Sequence, residues 1–505
     1  MNLPALLSFS CGFASLSIEI LWVRLYSFAQ MTIPVAFGFV LMAYLIGIAL
    51  GARLGSHMCR SASNDDVLWT YCIGALTASA LATVVLPPAY SWIAKSGLEN
   101  VLTSTLLIAS ASSVLAFVFP IAHHLAADRQ SHRQGQRMAS VYVANVAGAA
   151  AGPLVTGYLL LEHSRLEQAF GIIALAQLTV AGLLTLKLTT IRHRRALIAA
   201  GAILALGGVV SLELQPPHYL VQMLNQPGLV AKTVVENRHG VITIFPQKEG
   251  DDAVYGGNVY DGRTNLDPDK NTNGLERPLL LAALQPRPAR VLIVGLALGT
   301  SLALLNQLPG VEQVDVIEIN PGYLIAAQAY PMQARALHDP RVRIIVDDAR
   351  RWLRMKPDRL YDAVLMNTTL HWRANASMLL SQEFMTLVRR HMAPGAVMAF
   401  NATGSDDAFY TATRVFEHAY RYSNFVYAGD FDFRDRKDRP ETRQLYASMK
   451  MDGRPFFSPG SHSIARFIGE SFVTIEQAQR NAKRPLEAVT DQNMITEFKY
   501  GRHLE

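Results

Sequence analysis

The chain is poor in cysteine and in charge: three cysteines and 17% charged residues in 505. Cys11, Cys59 and Cys72 all fall in the first part of the sequence, so no disulfide framework or thiolate metal site is available to the rest. A basic opening segment is also missing, and more apolar runs follow the first, which argues against a cleavable signal peptide. The formal charge of +6 is modest and no nucleic-acid-binding motif accompanies it, so no nucleic-acid partner is expected.

Apolar sequence is plentiful, half of all residues, and unevenly placed. Up to about Leu212 the chain is a series of long apolar runs, roughly Leu3–Leu21, Ile33–Leu50, Val67–Ile93, Val101–Ala122, Ala139–Leu161, Ala169–Leu186 and Ala196–Leu212. Most can cross about 30 Å of hydrocarbon at about 1.5 Å per residue, and they lack the polar face of a soluble helix. An integral membrane protein of about seven spans is expected, of bacterial inner-membrane type, with the lipid bilayer as a partner. Basic clusters at loop ends, such as Arg192–Arg195, suit anionic headgroups.

Lys and Arg are concentrated in the loops after the second, fourth and sixth runs: Arg53 and Arg60; Arg129, Arg133 and Arg137; Lys187, Arg192, Arg194 and Arg195. The opposite loops hold Arg24, Lys95 and Arg165. The positive-inside rule then puts the N-terminus in the cytoplasm and, after seven spans, the remainder of the chain outside. Chemistry with a cytosolic nucleotide favours the cytoplasmic face instead. Glu19 and Arg24, at the end of the first run, suit an interfacial pair or a substrate path. Gly148, Gly152 and Gly157 lie at helical spacing and suit close helix packing in lipid.

Beyond a polar linker near Gln215–Gly228 the pattern changes. The alternation in VITIF and in Ala253–Tyr260, with a turn signal at Asp261-Gly262, predicts a small β-hairpin region. Continuous apolar strands then alternate with helices: 289–295, 314–320, 342–346, 361–367 and 395–401. Such strands predict a parallel sheet covered on both faces, a Rossmann-like α/β domain. The expected division is a transmembrane helical bundle over 1–213, a linker over 214–229, a β-hairpin subdomain over 230–270 and a Rossmann-like nucleotide-binding domain over 271–505. In the tail, 431–443 is charge-dense and reads as a solvated loop, and 467–483 as a helix.

Ligands of such sheets sit at the carboxyl ends of the strands. After the first strand come Gly295, Gly299 and Thr300, a glycine turn into a helix N-terminus but not a full GxGxxG. After the second comes Glu318, 23 residues beyond Gly295, placed to accept the hydroxyls of a ribose. After the third come Asp347, Asp348 and Ala349, where a carboxylate suits an exocyclic amine such as adenine N6 and also a helix cap. Together these three strand ends indicate an adenosine-type ligand. The fourth strand ends differently, in Asn367, Thr368, Thr369 and His371. His371 is the candidate base, with Asn367 and Thr368 orienting the reacting groups. Arg373 is placed to meet an anionic acceptor.

In this order the residues resemble the spermidine synthase family, closest to a membrane-fused branch in which several spans precede the synthase-like domain. The resemblance rests on IEILWVRL (18–25), YVANVAGAAAG (142–152), VYDGRTN (259–265), VLIVGLALGT (291–300), VDVIEINP (314–321), DPRVRIIVDDARRWL (339–353) and VTDQN (489–493). It implies that S-adenosylmethionine or its decarboxylated form is the co-substrate, without a metal. Glu318 would hold the ribose, Asp348 the adenine, and Gly295–Gly299 would line the cofactor's tail. Spermidine synthases end the fourth strand in an Asp, with a second Asp three residues on; here stand Asn367 and Leu370. Their Tyr-His-Glu stretch has become Gly274-Leu275-Glu276, keeping only the acid, and a Gln has become Asn265. An Asn is no base near neutral pH, and a leucine does not offset the desolvation of an ammonium group. The cofactor half is kept and the polyamine half is lost.

The expectation is an alkyl transferase, aminopropyl or methyl, acting on an acceptor other than a diamine, a small molecule or a membrane-embedded lipid. The alternatives are a lyase or cyclase acting on the cofactor itself, and a non-catalytic nucleotide sensor or gate coupled to the bundle. The sequence is also compatible with a homo-oligomer.

Overall fold

The computed structural model describes residues 3–127, 134–187, 195–225, 229–247, 251–458, 462–469 and 471–502. The chain forms two compact units, one of Met1–Met31 and Val35–Val241, the other of Thr32–Pro34 and Ile242–Glu505.

In the first unit seven helices have the length and composition to cross a membrane: Leu3–Ala29, Val35–Ser61, Asp65–Lys95, Val101–Ala126, Gln134–His163, Leu166–Leu186 and Ala196–Leu214. Small residues let them approach closely. A β-carbon at Gly148 would lie 2.0 Å from the Phe9 carbonyl oxygen, and one at Gly152 2.5 Å from that of Phe13, so the first and fifth helices meet backbone to backbone. Gly157 has no such neighbour and lies in the π-helical turn Thr156–Leu160. Glu19 and Arg24 do not form the expected pair; Arg24 donates to the carbonyl of Arg238 at 2.7 Å. Of the loop cations counted for topology, Arg129, Arg133, Arg192 and Arg194 lie outside the described residues, as do the side chains of Lys187 and Arg195. The stretch read as a linker carries a short helix, Tyr219–Leu224.

Strands β1 (Thr233–Asn237), β2 (Gly240–Phe245), β3 (Ala253–Gly256) and β4 (Val259–Arg263) follow one another in a four-stranded sheet. The run 253–260, expected as one strand, turns at Gly257-Asn258. Both take positive φ, +56° and +66°, the geometry a two-residue hairpin turn requires. Asp261-Gly262, expected as the turn, lies inside β4.

Helix α1 (Glu276–Leu284) leads into the main sheet, whose order is β10-β11-β9-β8-β5-β6-β7. Its strands are β5 (Arg290–Val294), β6 (Gln313–Glu318), β7 (Val342–Val346), β8 (Tyr361–Met366), β9 (Met392–Asn401), β10 (His418–Tyr422) and β11 (Phe425–Gly429). The first five are mutually parallel, and β11 and β10 add an antiparallel edge. Val291, Leu292, Ile293, Val364, Leu365 and Met366 are almost wholly buried, each such side chain favouring the fold by about 1.5–3 kcal/mol. Helices α2 (Thr300–Leu305), α3 (Gly322–Ala327), α4 (Ala349–Met355) and α5 (Gln382–Arg390) come between the parallel strands. Buried Arg350 on α4 is bonded to Asp491 at 2.5 Å, tying the stretch 489–493 to the sheet's helical layer.

Two expectations for the tail change. The stretch 431–443 is not one loop but a 3-10 turn, Arg434–Asp438, and the start of a helix, Pro440–Ser448. The stretch 467–483 is not one helix: it breaks after Gly469, Val473 bridges Arg421, and a second helix, Ile475–Asn481, starts at a Thr474 capping box.

Candidate functional site

Strand order reverses at β5 and β8, and the loops leaving these two strands meet there. A β-carbon at Gly295, whose φ is +82°, would lie 2.6 Å from the Asn367 carbonyl oxygen. Only glycine permits both that conformation and that approach. Gly299, φ +80°, is the N-cap of α2, and Thr300 opens that helix. A cavity of about 330 Å³ lies at this junction, where ligands of open α/β sheets bind.

Its walls come from Leu296–Leu298 with Thr300 and Ser301 after β5; Asn367–Leu370 after β8; Asn401 at the end of β9 and Thr403 beyond it; Val254 of β3 and Tyr260–Arg263 of β4; Asn273–Leu275 with Arg277 at the start of α1; and Asn424 and Phe425 at the start of β11. Asn367 makes no side-chain hydrogen bond with any described residue and faces the cavity. Thr368 is buried, its hydroxyl donating to the Asn401 carbonyl at 2.5 Å, while the Asn401 amide donates to the Thr368 carbonyl at 3.2 Å. His371 does not line the cavity. It is buried, its Nδ1 and its backbone N–H each 2.9 Å from the Thr403 hydroxyl. Arg373 does not line it either and donates to the Thr369 hydroxyl at 2.6 Å.

Glu318 ends β6 and is 4% exposed. Its oxygens accept the N–H groups of Leu296 at 2.7 Å and Asn320 at 2.8 Å, so it braces the glycine loop from below. Each oxygen keeps a second lone pair. Burial pushes its pKa up to about 7, against the opposing pull of the N–H bonds. Asp348 is exposed and caps α4, accepting the N–H of Arg351 at 2.8 Å, with Ala349 buried beside it. Ile319 and Val346, after β6 and at the end of β7, are 55% and 50% exposed. The β6–β7 rim thus presents two acids and two uncovered apolar side chains, and none of these residues is among those lining the cavity.

Several cavity residues escaped the sequence reading: Tyr260, Asp261, Arg263, Asn273, Arg277 and Asn424. Most precede the parallel sheet, so no strand-end rule finds them; VYDGRTN was the only signal. Asp261 receives the Tyr323 hydroxyl, and burial beside that carboxylate holds the phenol well above its usual range. Of the polyamine positions, the replaced Gly274, Leu275, Asn367 and Leu370 line the cavity, whereas the retained Glu276 accepts from Asn271 and the replaced Asn265 donates to Thr272.

Residues 280–422 match the family model of the Spermine/spermidine synthase domain. The C-terminal part of the chain therefore carries a spermidine synthase domain. A polyamine aminopropyltransferase of Mycobacterium tuberculosis (strain CDC 1551 / Oshkosh) is 28% identical over 280 residues, 53% of this chain and 52% of that protein. Polyamine aminopropyltransferase 2 of Streptomyces coelicolor is 36% identical over 118 residues, 23% of this chain and 21% of the relative. Putrescine N-methyltransferase 2 of Nicotiana attenuata is 26% identical over 118 residues, 23% and 32% of the two chains. The chain spans about half the length of the M. tuberculosis relative. Among solved structures, a spermidine synthase in complex with the transition-state analogue AdoDATO is 18% identical and aligns with 48% of this chain and 90% of its own, at a TM-score of 0.38.

Proposed function

We propose that the protein is a membrane-anchored alkyl transferase that uses S-adenosylmethionine or its decarboxylated form on an acceptor other than a diamine, with its α/β unit at the cytoplasmic face. The observation that carries this reading is the end of β8. It faces the cavity beside the glycine loop and presents Asn367 and Leu370 where a diamine calls for carboxylates. On the other rim the exposed pair Ile319 and Val346 offers an apolar bed for a purine, Asp348 an acceptor for its amine, and Glu318 lone pairs for the ribose. Relatives named for aminopropyl and for N-methyl transfer leave both arms of the sulfonium in play.

Bound there, a sulfonium nucleoside supplies an alkyl carbon already activated toward attack. The acceptor's lone pair forms the new bond, the carbon–sulfur bond breaks, and its electron pair stays on sulfur. The chain's task is then to position and to exclude water. Gly295 brings the backbone close, Asn367 orients through its unengaged carboxamide, and Thr368 fixes that strand end to Asn401.

Incubation of the full-length protein in detergent with each sulfonium nucleoside, followed by identification of the product, tests the reading. Methylthioadenosine indicates transfer or cleavage of the propyl arm, and S-adenosylhomocysteine indicates methyl transfer. Tight binding without either product would replace the transferase by a nucleotide-binding sensor, the alternative favoured by the engagement of His371 with Thr403.

A further inference from the structure

The cavity holds a guanidinium without a counter-ion. Arg277 stands in the first turn of α1, its carbonyl receiving the Tyr427 hydroxyl at 2.8 Å and its guanidinium 5.4 Å from the Phe425 ring centre. Its Nε is buried and makes no hydrogen bond, and no described carboxylate pairs with it. At Gly274, φ +64°, a β-carbon would lie 2.2 Å from its Nη2, so the guanidinium rests against backbone that only glycine leaves open.

Among the described residues the wall holds two further charged side chains, Arg263 and Asp261. Arg263 pairs with Asp251 at 3.0 Å, and Asp261 receives the Tyr323 hydroxyl. The remaining polar walls are neutral amides and hydroxyls, among them Asn273, Asn367, Asn401 and Asn424. Arg277 is therefore the cation of the wall that no described carboxylate pairs, and a guanidinium held against apolar and amide groups favours an anion beside it over a second cation. An ammonium group placed beside Arg277 would meet repulsion.

The geometry points to an acceptor that carries an oxyanion, carboxylate or phosphate, with Arg277 as the residue that selects it. The guanidinium fork matches either group. This specificity rests on the transferase reading only in naming the anion an acceptor; the binding site itself does not.

Titration calorimetry on the full-length protein in detergent, with succinate, inorganic phosphate and putrescine, each with and without S-adenosylhomocysteine, tests it. At least one anion is expected to bind, and Arg277→Gln to weaken it by about tenfold or more. Arg277→Lys should fall between, since it keeps the charge without the fork. Gly274→Ala, which keeps the arginine and displaces only the movable end of its side chain, should weaken the anion less than Arg277→Gln does, and putrescine should bind the glutamine variant better than the unaltered protein. The stronger of the two anions distinguishes carboxylate from phosphate. Anion binding indifferent to Arg277, absence of binding by both anions, or preference for putrescine overturns the proposal. Arg277-dependent anion binding with no heat from any nucleoside keeps the anion site and removes the transferase reading; nucleoside binding with no Arg277-dependent anion does the reverse.

Discussion

The two sides of the strand-order reversal are built alike and end differently. On one side β6 and β7 lead into Glu318 and Asp348; on the other β8 and β9 lead into Asn367 and Asn401. The bodies of β6 and β8 are both largely apolar, with one buried acid, Asp315 of β6, which receives the Tyr361 hydroxyl at 2.7 Å, because both pack in the middle of a covered parallel sheet. Packing therefore sets the strand and ligand chemistry sets the residue at its end. The acidic rim suits a neutral nucleoside read by hydrogen bonds. The amide rim, with Arg277 above it, suits a partner without positive charge.

The largest test of this contrast removes the contact that joins the two sides. Gly295→Ala adds left-handed backbone strain and a clash with the Asn367 carbonyl, together about 4 kcal/mol. Denaturation should show that loss, and calorimetry the loss of nucleoside binding; a variant as stable as the parent that still binds would break the account of the junction. Next comes Glu318. Its folded pKa of about 7 lies above its ordinary value near 4.5, so the folded state holds the proton more tightly. The stability this gives is fully present below about pH 4.5 and is lost as pH rises through about 7, about 3 kcal/mol in all. Denaturation midpoints from about pH 5 to about pH 8 should fall more steeply in the parent than in Glu318→Gln; equal slopes would mean that Glu318 does not carry this dependence. Smallest is Asp348→Asn. Asn caps a helix as well as Asp does, so the melting temperature should hold, while adenosine-ligand affinity drops severalfold with the loss of a charge-assisted bond. An unchanged affinity would remove Asp348 from the nucleoside site.

Much of this was legible in the sequence. The long apolar runs announce seven helices because each is apolar over a length that only a helix with no solvated face sustains. The five parallel strands are legible because each is mostly apolar and separated from the next by a helical pattern. The hairpin at Gly257-Asn258 was misplaced because Asp261-Gly262 offered a competing turn signal. Strands β10 and β11 go unread because HAYRY is broken by His418 and Arg421, and FVYAG, though apolar and buried, follows it after two residues with no helix between them. Within the site, Asn367 and Thr368 were found by the strand-end rule. His371 was found by the same rule, yet Thr403, 32 residues away, holds its imidazole out of the cavity wall. Arg277 carried no local signal at all.

The sequence by itself determined the two architectures and the order of acids and amides along the strand ends, because apolar periodicity and strand punctuation are local properties. Only the tertiary structure decided that Glu318 turns beneath the glycine loop, that His371 binds Thr403, and that Arg277 enters the cavity unpaired. Each depends on side chains distant in sequence, and a group's charge, burial and partners are fixed by what the fold brings against it.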